Sequence, residues 1–426
     1  MKKILIKNKK LMGEITPPPS KSILHRHIIA SSLAEGISKI SNINFSEDIL
    51  ATIEAMRKLG ANIEIKNDSL IIEGINNFNS FNEGNEFLNS QKNNIIDCNE
   101  SGSTLRFLIP LFLARKNKIE FTGKIGLFKR PVTPYFEIFE KNNINYEQKE
   151  NYLFLAGELK SGIFEIEGNI SSQFITGLLF TLPLLKENSK IIIKGNLESK
   201  SYVDLTLDCL EKFGIKIKNN NYFEFFIEAN QKYVSKNIET ESDFSQAAFY
   251  LVANSIGSNI KIKNLNLLSK QGDKKIIEFL EEIDNFKNKN KTLYLDAKDF
   301  PDIVPILSLK CALSNKKIEI INIARLRIKE CDRLKATVQE LSKLGFDLIE
   351  KEDAILINSQ DKINLKNKND ICLSSHNDHR IAMLIAIAST VCQNNIILDD
   401  ASCVKKSYPN FWEDFVSLGG EIKEIF

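Results

Sequence analysis

The sequence predicts a repeat-built protein of the α/β or α+β class, and three observations carry that expectation. Short segments that end a helix and enter a strand recur along the 426 residues: 56–65 (MRKLGANIEI), 210–217 (LEKFGIKI), 341–349 (LSKLGFDLI) and 416–425 (VSLGGEIKEI). In each, the glycine suits the left-handed residue that closes a helix, and the alternating apolar run after it is strand-like. Two weaker copies, 139–146 (FEKNNINY) and 279–286 (FLEEIDNF), lack the glycine. The copies fall about 70 residues apart, roughly six to the chain, and this near-even period favours a true repeat over chance helix–glycine–strand junctions. Each repeat has room for two helices and a few strands, which sets the class.

Two breaks divide the repeats. Residues 228–243 (EANQKYVSKNIETESD) are polar and poor in apolar pattern, with three repeats before them and three after. Pro17, Pro18 and Pro19 make a second break near the start. If the chain crosses at both places, 21–230 forms an inserted domain, and 1–20 plus 231–426 form a discontinuous one. A cleft between two such domains is the expected ligand site.

Composition narrows the function. Hydrophobic residues are 43% and charged residues 26%, as in ordinary soluble proteins. The formal charge is +2, so nothing global attracts nucleic acid or an anionic membrane, and an anion site must come from local basic residues. The seven cysteines are scattered and never spaced as CxxC, which argues against a disulfide framework or zinc site and for reduced thiols in the cytoplasm. The start, MKKILIKNKKLMGEI, does not fit a signal peptide, and no run reaches membrane-spanning length.

Polar clusters stand before apolar helices all along the chain. Residues 20–26 (SKSILHR) follow the triple proline. Ser20 is either a simple cap or, with Lys21, Ser22 and Arg26 at the positive end of a helix, part of an anion site. Residues 99–106 (NESGSTLR) precede FLIPLFLA. There Gly102 permits close backbone approach, and Ser103 and Thr104 are candidate caps. Arg106 must find an ion-pair partner or a ligand, since an unpaired buried charge is costly. The loop 122–131 (TGKIGLFKRP) carries Lys124, Lys129 and Arg130, and Ser171, Ser172 and Gln173 offer neutral hydrogen bonds at the next helix mouth. Ser199–Asp204 (SKSYVD) and 243–246 (DFSQ) read as ordinary caps when taken alone.

The second half repeats the theme. In FPDIV, Asp302 lies behind a helix-starting proline, and its carboxylate suits a general base or a hydroxyl acceptor. Residues 326–334 (LRIKECDRL) pack Arg327, Lys329, Glu330, Asp332 and Arg333 before a helix ended by Gly345. In HNDHR, Asp378 is a candidate cap, with His379 and Arg380 at the helix mouth. His376 and His379 raise the question of metal, but no third ligand is evident and none is expected. Lys405 and Lys406 precede the last helix. Lys21, Arg26, Lys329, Arg333, Arg380 and Lys406 against few acids suit a ligand with several negative charges. No nucleotide fingerprint, metal set or Ser-His-Asp order appears, so acid–base chemistry without a cofactor is the expectation.

The clusters PPSKSILHR, NESGSTLRF, ISSQF, FPDIVP, LRIKECDRL, NDHRIAM and KKSYPNFWE, in this order, resemble the EPSP synthase (enolpyruvyltransferase) family over essentially the whole chain. The resemblance implies an inside-out α/β prism of two similar domains, each of three βαβαββ units. It implies transfer of the enolpyruvyl group of phosphoenolpyruvate to the 5-hydroxyl of shikimate 3-phosphate, releasing phosphate by addition and elimination. Lys21, Ser22, Arg26, Ser171, Ser172, Gln173, Ser199, Tyr202, Asp302 and Lys329 are then the phosphoshikimate contacts. Lys21, Gly102, Arg130, Gln173, Arg333, Arg380 and Lys406 are those to phosphoenolpyruvate. Asp302 resembles the base near the 5-hydroxyl and Glu330 the methylene-protonating acid, with Lys329 and Lys21 beside the chemistry. The discontinuous domain would carry the acid–base residues and the inserted domain most phosphoshikimate contacts. The implied partners are these two small molecules, and the expected state is a monomer.

Two departures from the family pattern matter. Glu100 replaces an Asn, and Gly126 replaces an Arg in the TG…RP loop, with Arg130 or Lys124 as candidate substitutes. Arg325 also stands where a polar Asn contact is frequent. Two rivals remain. The related UDP-N-acetylglucosamine enolpyruvyltransferases carry a reactive cysteine in the loop matching 122–131, which has none here. A non-catalytic polyanion-binding scaffold would have no need of Asp302 and Glu330.

Overall fold

A computed structural model of the chain describes residues 2–75, 78, 94–115, 118–288, 290–359 and 370–425. Two compact units emerge, Pro19–Glu241 and Met1–Pro18 with Ser242–Phe426. Residues 231–241 sit with the inserted unit because Asn237–Glu239 pairs in parallel with Ile37–Ser41.

One sheet pattern recurs. Ile95–Asp97, Lys118–Thr122, Tyr152–Ala156 and Asn145–Gln148 lie in that spatial order, the first pair parallel and the others antiparallel. The same arrangement joins Ile163–Glu167, Ser189–Lys194, Glu224–Ile227 and Ile217–Asn220. The inserted unit's third sheet is Asn237–Glu239, Ile37–Ser41, Ser69–Glu73 and Asn62–Lys66. In the other unit it appears as Leu293–Asp296, Lys317–Ile321, Ala354–Asn358 and Asp347–Glu350. It recurs as Ile371–Leu373, Ile396–Leu398, Lys3–Lys7 and Glu421–Ile425. The sixth repeat is reduced, among the described residues, to the parallel pair Met12–Ile15 and Asn259–Ile262. Its copy of the junction, FLEEIDNF, runs into KNKNK, which offers no alternating apolar residues to make a strand.

Parallel neighbours need a crossover, and the crossover helix is the buried element of each repeat. Gly102–Leu113 is buried at all but Ser103, and Ser172–Thr181 at all but Gln173. Val304–Ala312 and His379–Ala388 are buried throughout. Strands alternate buried and exposed residues, as in Lys3–Lys7, so within each unit helices fill the interior and sheets cover it. A helix buried all round must be apolar all round, so its polar residues collect at its N-terminus. There the free N–H groups also want partners. That is why polar clusters precede apolar runs in this sequence.

The repeat glycines behave as their spacing predicts. Gly60, Gly214, Gly345 and Gly419 have φ of +114°, +84°, +87° and +91°. Asn143 fills this role in the copy 139–146 with φ +55°, a conformation asparagine tolerates better than most residues. Two local expectations need correction. Ser101, not Ser103 or Thr104, caps Gly102–Leu113, because its hydroxyl accepts from the Thr104 N–H (3.1 Å) and Gly102 already begins the helix. Pro301 does not start a helix: Pro301 to Ile303 form a turn and the helix begins at Val304, with Pro305 in its first turn. Asp332, Asp378, Asp243 and Ser171 do cap their helices, while Ser20 occupies the cap position without a side-chain cap bond.

Candidate active site

In the inserted unit, helix Lys21–Leu33 carries three of the candidate residues. Lys21 Nζ donates to Asp48 Oδ2 (2.8 Å), an acid in the first turn of Glu47–Leu59. Arg26 is 2% exposed, and burial lowers its pKa to about 10, which leaves it charged at neutral pH. Its Nε donates to Thr206 Oγ1 (2.9 Å), Nη1 to the Ser22 carbonyl (2.6 Å) and Nη2 to the Tyr202 carbonyl (2.8 Å). Arg26 therefore braces the backbones of Ser22 and Tyr202. Tyr202 follows the buried Ser199, whose φ of +55° turns the chain into helix Lys200–Lys212.

A second group forms where two crossover helices begin. Arg106 Nη1 donates to Gln173 Oε1 (2.6 Å) and its Nη2 to the Pro131 carbonyl (3.0 Å). Gln173 Nε2 in turn donates to Ser103 Oγ (2.9 Å), while Ser171 caps the Gln173 helix and Ser172 is buried beside it. A Cβ on Gly102 would stand 3.0 Å from Arg106 Nη1, 3.4 Å from Arg130 Nη1 and 3.5 Å from Gln173 Oε1. Gly102, Arg130 and Gln173 thus converge, and Arg106 is the hub that sequence reasoning left undecided. Lys124 and Lys129 are exposed, and Gly126 has nothing within 4 Å of its would-be side chain.

The two groups are tied by a buried chain that no motif announced. His25 Nδ1 meets Thr52 Oγ1 (2.8 Å), Thr52 meets Thr104 (2.7 Å), and Thr104 Oγ1 donates to the Ser101 cap (2.7 Å). Burial holds the His25 pKa well below its usual value, so the ring is neutral and can share in this chain. The sequence signal was weak, since buried Thr and His look like any core-lining polar residue.

In the other unit, Asp302, Glu330, Arg333, Asp378, His379, Arg380 and Lys406 form one network. Arg333 is 2% exposed; its Nη1 donates to Asp302 Oδ1 (2.8 Å) and its Nε to Asp378 Oδ2 (2.9 Å). Burial alone would lower its pKa, but Asp378, Asp302 and Glu330 outweigh that and raise it. Arg380 Nη2 lies 3.9 Å from Asp302 Oδ2, and its Nη1 donates to the Ser245 carbonyl (2.9 Å). Glu330 Oε2 is 3.0 Å from His379 Nδ1 and 3.8 Å from Lys406 Nζ, which also donates to the Asn377 carbonyl (2.6 Å). Lys329 is half-buried where the short helix Ala324–Ile328 ends, next to Glu330. Arg327 serves the loop itself, reaching Asp332 (2.9 Å) and Glu350 (2.8 Å).

Glu330, Asp378 and His379 bring ligand-type atoms within 4.8 Å of one another, close enough to ask about a cation. The chemistry opposes one. Asp378 Oδ2 already accepts from Arg333, Oδ1 accepts from the Arg380 N–H (2.8 Å), and Arg333, Arg380 and Lys406 surround the group with positive charge. His376, the other histidine considered, faces Glu340 (2.8 Å). The network is suited to anions and to proton transfer.

Asp273, in Gly272–Lys275, is an acid that sequence reading passed over. It is 4% exposed and takes a hydrogen bond from the Ser245 hydroxyl. Burial, and then the charge of Asp302, push its pKa up to about 7. The folded chain therefore keeps this proton where the unfolded chain has lost it. Ionising Asp273 opposes folding, so stability should fall as pH rises from about 4 through about 7. Urea unfolding between about pH 5 and about pH 8 should show that slope, and Asp273→Asn should flatten it.

The chain as a whole is similar to known proteins. A family model described as EPSP synthase (3-phosphoshikimate 1-carboxyvinyltransferase) matches residues 5–415. A 3-phosphoshikimate 1-carboxyvinyltransferase of Clostridium perfringens (strain SM101) is 51% identical over 438 residues, covering 100% of both chains. One of Clostridioides difficile (strain 630) is 51% identical over 428 residues, covering 97% of each. In fold, the chain is similar to an EPSP synthase from Acinetobacter baumannii, with a TM-score of 0.79 at 23% identity over 100% of both chains.

Proposed function

This chain belongs to the EPSP synthase family, and from that premise we propose how its residues share the work. The reaction is that of a 3-phosphoshikimate 1-carboxyvinyltransferase, in which the enolpyruvyl group of phosphoenolpyruvate passes to the 5-hydroxyl of shikimate 3-phosphate and phosphate leaves. In this reading Lys21, Ser22, Arg26, Ser171, Ser172, Gln173, Ser199 and Tyr202 hold phosphoshikimate, Arg26 also supporting the backbones of Ser22 and Tyr202, and Lys329 adds a cation. Gly102, Arg130, Gln173, Arg333, Arg380, Lys406 and Lys21 receive phosphoenolpyruvate.

Glu330 gives a proton to the methylene carbon of phosphoenolpyruvate, which makes the neighbouring carbon cationic. The 5-hydroxyl adds to that carbon and loses its proton to Asp302. The tetrahedral adduct then loses one methyl proton back to Glu330 as its C–O bond to phosphate breaks, which restores the carbon–carbon double bond. Asp302 returns its proton to the departing phosphate, whose charge is met by Arg333, Arg380 and Lys406. The observation that carries this reading is that three buried cations stand within 4 Å of the two acids: Arg333 (2.8 Å) and Arg380 (3.9 Å) at Asp302, and Lys406 (3.8 Å) at Glu330. Such a set matches an acid, a base and an anion clamp. It gives no reason for a scaffold that merely binds polyanions.

The test is a phosphate-release assay with the two substrates; a folded chain that shows no turnover overturns the reading. Arg130 can be tested in the same assay. Arg130→Met should raise KM for phosphoenolpyruvate by about 10- to 100-fold, the worth of one hydrogen bond to a charged group, and Lys124→Met should leave it unchanged. The reverse pattern would assign the contact to Lys124. No helix among the described residues is long and apolar enough to cross a membrane. A cytoplasmic monomer is the accompanying proposal. The compartment is supported by seven cysteines that are all free, five of them buried, and sedimentation would check the monomer.

A further inference from the structure

Residues 374–378 join strand Ile371–Leu373 to the buried helix His379–Ala388, and much of the network above hangs from this turn. Its Asn377 carbonyl accepts from Lys406 (2.6 Å), and its Asp378 carboxylate accepts from Arg333 (2.9 Å). The next two residues are His379, on Glu330, and Arg380, near Asp302. Yet His376 and Asn377 both sit in the left-handed region, with φ of +51° and +55°. Two consecutive residues with side chains in that region persist only where their surroundings hold them.

What holds them lies on helix Arg333–Lys343. Glu340 is 1% exposed, and its Oε2 accepts from the Ser374 N–H (3.0 Å). Its Oε1 is 2.8 Å from His376 Nε2, and Lys343 Nζ reaches both oxygens (2.8 and 3.0 Å). Burial disfavours the charge on Glu340, but His376, Lys343 and the Ser374 amide together hold its pKa below the usual carboxylate value. Inside the turn, Ser374 Oγ accepts from the His376 N–H (3.1 Å) and Ser375 Oγ from the Asn377 N–H (3.2 Å). Arg333 and Glu340 stand about two helical turns apart, hence on one face of one helix. That face grips the turn at two points, Arg333 at Asp378 and Glu340 at Ser374 and His376.

We propose that Glu340 and His376 are positioning residues that hold the 374–378 turn in its left-handed form and thereby set the phosphoenolpyruvate contacts Lys406 and Arg380. This rests on the assignment of those two contacts given above. Neither Glu340 nor His376 touches the reacting groups; both act through the backbone of the turn.

His376→Ala should raise KM for phosphoenolpyruvate by about 10- to 100-fold, the cost of misplacing contacts by about an ångström, and leave KM for shikimate 3-phosphate nearly unchanged. His376→Gln, whose amide can donate to Glu340, should restore most of the loss. A purely structural role would lower the melting temperature and shift both KM values together, and that result, or two unchanged KM values, overturns the proposal. Should Glu340→Ala fail to fold, Glu340→Gln keeps the shape while weakening the clamp. Amide exchange gives a readout independent of turnover. The Ser374 and Asn377 N–H groups should exchange faster in Glu340→Gln while the sheet around Lys317–Ile321 stays protected. Unaltered exchange there overturns the clamp even if the wild-type chain proves inactive, which would instead count against the functional assignment.

Discussion

Glu330→Ala should lower kcat by about 100-fold or more, the usual worth of a positioned general acid. Glu330 is the proton donor in the proposed mechanism. Its carboxylate lies between His379 (3.0 Å) and Lys406 (3.8 Å), and its side chain is 12% exposed. It is thus largely shielded from solvent and in direct contact with His379. Glu330→Gln keeps the shape and the acceptor for His379 but has no proton to give, so it should be nearly as slow. Binding of shikimate 3-phosphate should survive both changes. Steady-state phosphate release, with each substrate varied in turn, separates the outcomes. Undiminished turnover in Glu330→Ala would remove Glu330 from the mechanism.

The second large effect concerns stability as well as turnover. Arg333→Met should destabilise the fold by about 3–5 kcal/mol, because it leaves buried carboxylates without their counter-charge. Asp378 is fully buried, and Asp302 is 22% exposed at its side chain. Arg333 serves both, and its replacement by an apolar side chain of similar length preserves packing while removing the charge. The urea midpoint should fall with little change in the slope of the transition. Adding Asp378→Asn to Arg333→Met should recover part of the loss, since the two groups form one unit and their effects do not add. A midpoint unchanged from wild type would show that the pair contributes nothing net.

Much of this was legible in the chain itself. The repeat could be read because a helix that must end and turn into a strand needs a left-handed residue, and Gly60, Gly214, Gly345 and Gly419 supply it. The clusters could be read because helices buried on every side leave polar residues nowhere to go but their ends. Asp378 and Asp243 were recognisable as caps from local chemistry alone. The resemblance to a known family rested on these same clusters in order, and the family comparisons bear it out.

Other features depend on residues distant in sequence and leave no local trace. Asp273 has no motif around it, and its character comes from burial and from Ser245, Asp302 and Arg380. Glu340 sits on an amphipathic helix where an acid is unremarkable, and only the fold turns it inward onto Ser374 and His376. Asp48 acquires its meaning from Lys21, 27 positions away, and Arg106 from Gln173, 67 positions away. Sequence by itself determined the class, the repeat, the family and the residues at each helix mouth, because helix ends and buried helices obey short-range rules. The tertiary structure alone decided which of those residues share a charge, a proton or a hydrogen bond. Those interactions act over a few ångströms of space, whatever the separation along the chain.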